Sequence, residues 1–209
     1  METTYSKELA SQIKTFLDND QWKYTFDKED GFFRFNLAIK ARGINQLRYV
    51  LIINDDSFNI YAISPVGPDR DDAKMMATMA EFFARANYKL KAGGGFQLDY
   101  RDGEIRFKCF VDCEDNKPST SVIRNSIHYP AAVFETYGYG ITGIIFQNLT
   151  AKEAIKVSEY ARIRRILKDK GISEEEIDGL ISKLQRHGAD TAAGTDETDA
   201  SVGTESETV

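Results

Sequence analysis

Two cysteines and two histidines are all that this 209-residue chain holds, which removes the usual material of a disulfide framework or a zinc site. Cys109 and Cys113 fall four apart in an expected strand, about 13 Å from each other, too far to bridge. Both are expected as reduced thiols. Cys109 should face the core, and Asp112, Glu114 and Asp115 should disfavour the Cys113 thiolate. As metal ligands the pair lacks two partners. His128 stands just before Pro130, and His187 ends a helix, where it complements the dipole. Neither has an evident nucleophile beside it.

No window approaches the ~18 apolar residues of a membrane span. The opening METTYSKELASQ lacks the basic start and apolar stretch of a signal peptide, so a cytoplasmic location is expected. Lys and Arg are absent from residues 188–209, where Gly, Ala, Ser and Thr surround Asp190, Asp196, Glu197, Asp199, Glu205 and Glu207. Such a segment buries too little apolar surface to offset ordering entropy and is expected to be a disordered, solubilising tail. The other 27 acids equal the 27 Lys plus Arg. A neutral body with an acidic tail argues against nucleic-acid binding, which favours a basic surplus.

A phosphate loop is missing as well. Gly93, Gly94 and Gly95 are the one glycine run, yet a phosphate loop lies between a strand and a helix and ends in Lys-Ser or Lys-Thr. Here the run follows a helical pattern and precedes an alternating one, so it reads as a helix exit and strand entry. No cofactor and no catalytic residue is expected. Acid clusters at 69–72 and 112–115 are read as caps and solvated loops rather than cation sites.

What the chain does have is apolar patterning, with 42% hydrophobic and 11% aromatic residues. Tyr5, Leu9, Ile13, Phe16 and Leu17 share one helical face. Trp22, Tyr24 and Phe26 alternate with polar residues, turn at 28–31, and meet Phe33, Phe35, Leu37 and Ile39; pairing Asp27 with Phe32 sets Tyr24 against Phe35 and Trp22 against Leu37. A second hairpin pairs Asn54 with Ser57. It places Tyr49, Leu51 and Ile53 opposite Ala62, Ile60 and Phe58. Met75, Met76, Met79, Phe82, Phe83 and Ala86 mark a helix over residues 71–89, read as core rather than a methionine binding stripe. Asp102-Gly103 suits a two-residue hairpin turn, with Leu98 against Phe107 and Phe96 against Cys109.

Beyond Pro118, Ser119 to Ser121 can cap a short helix, and Pro130 can begin another. Its Gly138, Gly140 and Gly143 weaken that helix or permit close packing. Thr150 to Glu153 and Ser173 to Glu176 are capping boxes for two more helices, 151–170 and 174–187. The expected fold is α+β: an antiparallel sheet of five to six strands with helices on one face (helix, strands, helix, β-hairpin, helix) and extra C-terminal helices. The expected divisions are a domain at 1–148, a helical extension at 149–187 and the tail at 188–209.

The segment NYKLKAGGGFQLDYRDGEIRFKCFVDCE (Asn87 to Glu114), preceded by the Met-rich helix and followed by PSTSVIRNSIHYPAAVFETYGYGITGIIF (Pro118 to Phe146), resembles the YbjN-domain family, labelled bacterial sensory transduction regulators. The resemblance spans roughly residues 5 to 146 and rests on the order of elements and the hairpin's Phe-x-Leu-Asp and Asp-Gly-Glu-Ile-Arg. It implies a fold similar to class I type III secretion chaperones and a noncatalytic, protein-binding module, possible as a dimer.

Both hairpin faces carry apolar groups, so Val50, Ile52, Tyr61, Ile63 and Phe110 are the expected contact strip for a protein partner or a second copy. The rival reading is a nucleic-acid-linked transcriptional or stress regulator using ARIRRILKDK, with Arg162, Arg164, Arg165, Lys168 and Lys170. A charge run of this kind is ordinarily a solvated helix surface. Neither a membrane nor a small-molecule substrate is expected as partner.

Overall fold

The computed structural model describes residues 5–91 and 93–193, with side chains through Leu184. Two compact units appear, Met1–Glu159 and Tyr160–Val209. The first is α+β. Its elements run α1 (Lys7–Asn19), β1 (Tyr24–Asp27), β2 (Phe32–Ala41), β3 (Ile44–Ile53), β4 (Ser57–Ile63), α2 (Ala73–Lys89), β5 (Gly95–Leu98), β6 (Ile105–Asp112), α3 (Thr120–Gln147) and the start of α4 (Ala151–Asp169). The strands form one antiparallel sheet in the order β1-β2-β3-β4-β6-β5.

Alternation sets which side of the sheet is greasy. Phe33 and Phe35, Tyr49 and Leu51, Phe58 and Ile60, and Phe107 and Cys109 point to one side and are buried with Ile13 and Leu17 of α1, Phe82 of α2 and Phe134 of α3. The first two hairpins take the registers that their polar turns imply: Tyr24 opposite Phe35, and Tyr49, Leu51 and Ile53 opposite Ala62, Ile60 and Phe58. β1 begins at Tyr24, so Trp22 pairs with no strand; its ring instead meets Phe35 edge-on at 5.1 Å.

The third hairpin differs from expectation by two residues. Leu98 pairs with Ile105 and Phe96 with Phe107. The cause is a longer turn: the Asp99 amide bonds the Glu104 carbonyl, the Gly103 amide bonds the Asp99 carbonyl, and Asp99 also holds the Arg101 amide and guanidinium. That guanidinium keeps the Asp99 carboxyl low, at about 2. A slip of two preserves the inward face, so the core is unchanged by it.

The glycine run does lead from α2 into β5. Gly94 has φ +147°, and a Cβ there would lie 2.6 Å from the Lys108 carbonyl oxygen. Only glycine lets the chain come this close to β6.

α3 is one helix with Pro130 inside it, where two shorter helices were expected. Proline lacks the N–H owed to the residue four back, which ordinarily breaks a helix. The donor lost is the one owed to the Ser126 carbonyl, and Tyr49 braces the adjoining turn from the sheet. Its hydroxyl donates to the Ile127 carbonyl at 2.9 Å and accepts from the Ala131 amide. Burial, and then the Cys109 sulfur, push its pKa up, so the phenol stays a donor. Tyr49→Phe is therefore expected to cost about 1–1.5 kcal/mol of stability in a urea titration, because it orphans buried helix groups. An unchanged midpoint would show that the bridge contributes nothing.

The two capping boxes form as expected: Thr150 and Glu153 exchange bonds, as do Ser173 and Glu176. Ala151, Ala154 and Ile155 of α4 join the core, so the first unit continues past residue 148 to Glu159. Within the second unit, Gly171 at φ +80° separates α4 from α5 (Glu174–Ala193), where Ile177 and Ile181 are buried and Leu180 and Leu184 are exposed. The rest of the acidic tail, 194–209, lies outside the described residues.

Candidate partner-binding face

The other side of the sheet has no helix over it among the described residues of the first unit. Its composition follows from the registers. One row across the strands reads Phe32, Ile52, Asn59, Phe110; the next reads Arg34, Val50, Tyr61, Lys108; the third reads Asn36, Arg48, Ile63, Arg106. All five residues expected to form a contact strip therefore lie together on this face. Their exposure differs. Phe110 is 55% exposed, Val50, Ile52 and Tyr61 are half-buried, and Ile63 is only 8% exposed between Arg48 and Arg106. Ile63 thus stiffens the strip more than it offers surface.

Cations border the apolar patch but are partly engaged. Arg106 and Lys108 sit over the Tyr61 ring at 4.9 and 5.7 Å, and Arg34 over Phe32 at 5.4 Å. Glu104 pairs with Arg48 at 3.3 Å and with Arg106 at 4.0 Å. Exposed pairs of this kind contribute little stability, and their charges remain available to a partner. The Asn59 amide oxygen, between Ile52 and Phe110, is buried without a hydrogen-bond partner.

The sheet's edges are treated unequally. On β5, the Asn87 side chain reaches from α2 and takes both backbone groups of Phe96: its oxygen accepts the N–H at 2.8 Å and its nitrogen donates to the carbonyl at 3.1 Å. On β2, beyond the reach of β1, Glu135 accepts the Lys40 amide at 3.0 Å. Such plugs prevent strand-to-strand association. Edge strand β5 reaches only to Gly95, opposite Lys108, so Phe110 to Asp112 of β6, paired with β4 on one side, have no strand on the other among the described residues. Beside that open stretch is a groove of about 590 Å³ against α3, lined by Cys109, Phe110, Val111, Asn125, His128 and Tyr129. Nothing in the sequence marked these edge contacts, because Asn87 and Glu135 meet their strands only after the helices dock.

The thiols carry no sign of activation. Burial pushes Cys109 up to about 11, and burial with Asp112 and Asp56 raises Cys113. The Cys109 sulfur contacts the Gly93 carbonyl at 3.3 Å. His128 is exposed on α3, its ring edge-on to Trp22 at 5.8 Å, and the His187 side chain lies outside the described residues. No group of three or more His, Cys, Asp or Glu among the described residues is placed to hold a metal. Nor is any described helix long and apolar enough to cross a membrane.

The basic run of α4 is largely occupied within the second unit. Arg164 pairs with Glu174 at 2.8 Å and also with Asp178, and Lys168 pairs with Glu174 at 2.7 Å. Neutralised in this way, the helix presents fewer free cations than its sequence advertises. No protein-family model matches the chain, and no curated protein matches it.

Proposed function

We propose that this chain is a noncatalytic protein-binding module, chaperone-like or regulatory, that holds a segment of another protein against the face of its sheet opposite the core. The observation that carries this reading is the co-location of Val50, Ile52, Tyr61 and Phe110 on three adjacent central strands, with no helix covering them among the described residues of the first unit. The reverse sides of these strands are the core, so the patch is held rigid and little ordering entropy is lost on binding. The YbjN resemblance points the same way, and a cytoplasmic setting would suit it. Regulation through nucleic acid is disfavoured by the acids that engage Arg164 and Lys168.

The test is the double variant Ile52→Lys with Tyr61→Glu. Partner capture should fall by tenfold or more, about 1.4 kcal/mol, while the far-UV spectrum and melting transition stay close to wild type. Undiminished capture overturns the reading, and global unfolding would assign both residues to the core instead. Retardation of DNA or RNA that weakens steeply with salt would favour the rival.

A further inference from the structure

The open edge of β6 has a direction that can be read from neighbouring hydrogen bonds. The Cys113 amide bonds the Asp56 carbonyl at 2.7 Å and the Ile105 carbonyl accepts the Ser64 amide at 2.9 Å, both toward β4. Odd-numbered residues of β6 therefore turn their backbone groups to β4, and even-numbered ones turn theirs the other way. On that other side β5 serves Arg106 and Lys108. For Phe110 and Asp112 it offers nothing.

We infer that a short extended segment of a partner protein adds to β6 as an antiparallel strand opposite Phe110 to Asp112, end to end with β5, and seats one apolar side chain in the groove against α3. This rests on the protein-binding reading and names how the segment enters. Backbone bonding supplies affinity in such additions, and alternate side-chain pockets supply selectivity. Here the register specifies the chemistry. The incoming residue opposite Val111 points inward, into the cavity of about 590 Å³ walled by Cys109, Val111 and Tyr129, and should be Leu or larger. The residue opposite Phe110 lies on the exposed face beside an aromatic ring and should be β-branched or aromatic. The residue opposite Asp112 meets an acidic end, where Asp112 and Asp56 both act on Cys113, and should be Lys or Arg.

A partner segment fits better than a second copy. Three edge residues span only about 10 Å at ~3.3 Å each, a stretch that one short segment covers whole and that is too small by itself to carry a stable dimer. Asn87 on Phe96 and Glu135 on Lys40 also take up backbone groups at the edges of β5 and β2.

The probe is a blocked heptapeptide, acetyl-Ser-Thr-Lys-Leu-Val-Thr-Ser-amide, titrated into the full chain by NMR or anisotropy. N-methylation at its Lys or Val removes an amide aimed at Asp112 or Phe110 and should weaken binding about tenfold. At Leu, whose amide points away, the effect should stay within about twofold. Asp112→Pro deletes an edge donor that the β4 ladder does not use and should weaken the peptide about tenfold with the fold intact; if that variant unfolds, Ala132→Trp, at a residue that lines the groove from α3, should give the same loss. Absence of binding, or indifference to which amide is methylated, overturns strand addition. Light scattering showing a dimer that the peptide cannot dissociate would name a second copy instead, and also overturn it. If Ile52→Lys with Tyr61→Glu abolishes partner capture while Asp112→Pro does not, the face reading stands and this inference fails.

Discussion

Phe96→Ala should remove about 3–5 kcal/mol from the unfolding free energy, the largest loss expected from a single substitution in this chain. The ring is a hub. It stacks on Phe83 at 4.7 Å and meets Phe107, Phe134 and Tyr137 edge-on at 5.3, 5.1 and 5.9 Å. Those partners come from α2, β6 and α3, so one side chain ties both helices to the short edge strand. β5 is only four residues long, and Asn87 holds its backbone at the same residue. The neighbours of Phe96 are themselves large rings in fixed rotamers, and a cavity between them closes poorly. A domain of ordinary stability has 5–15 kcal/mol in total, so the variant should sit near its unfolding limit. Urea titration measures this as a lower midpoint with an unchanged slope. A loss under about 1.5 kcal/mol would mean that the ring cluster relaxes freely and that β5 is held by something other than Phe96.

The same segment shows where sequence is legible and where it is not. Alternation in β1 to β4 is bounded by short polar turns, so pairing Asp27 with Phe32 and Asn54 with Ser57 leaves one register for each hairpin. From those registers the bare face followed, since Val50, Ile52, Tyr61 and Ile63 fall opposite the inward set. Around Asp102-Gly103 the pattern was ambiguous by two residues, because a slip of two keeps every apolar side chain inward. Local bonds of Asp99 to Arg101 and Glu104 decided it. Pro130 was read by its local preference to start a helix, but the helix runs through it, and a tyrosine eighty-one positions away braces the next carbonyl, Ile127. The basic run is exposed, as its charge pattern implied, but the partners of Arg164 and Lys168 on α5 become visible only when the helices fold beside one another. What escaped the sequence is therefore of one kind: polar contacts between segments distant along the chain, each decided by a few ångströms of docking.

The glycines of α3 offer a test in which two effects oppose each other. Helix propensity alone makes Gly→Ala favourable by about 1 kcal/mol. At Gly140 the docked helices reverse the sign: a Cβ there would lie 2.5 Å from the Phe82 ring and 2.7 Å from the Ala154 carbonyl oxygen. Neither neighbour can yield, one being a fully buried ring and the other backbone. Overpacking of about 3 kcal/mol minus the propensity gain leaves Gly140→Ala destabilised by about 2 kcal/mol. Gly143 has the same propensity but a different neighbour. Its Cβ would meet the Leu149 Cδ1 at 2.6 Å, the far end of a side chain that can rotate away, so Gly143→Ala should be neutral or stabilised by up to about 1 kcal/mol. Thermal melts of the two variants side by side measure the difference. Equal melting temperatures would mean that α2 and α4 do not press on α3 at Gly140, and the close three-helix contact would have to be abandoned.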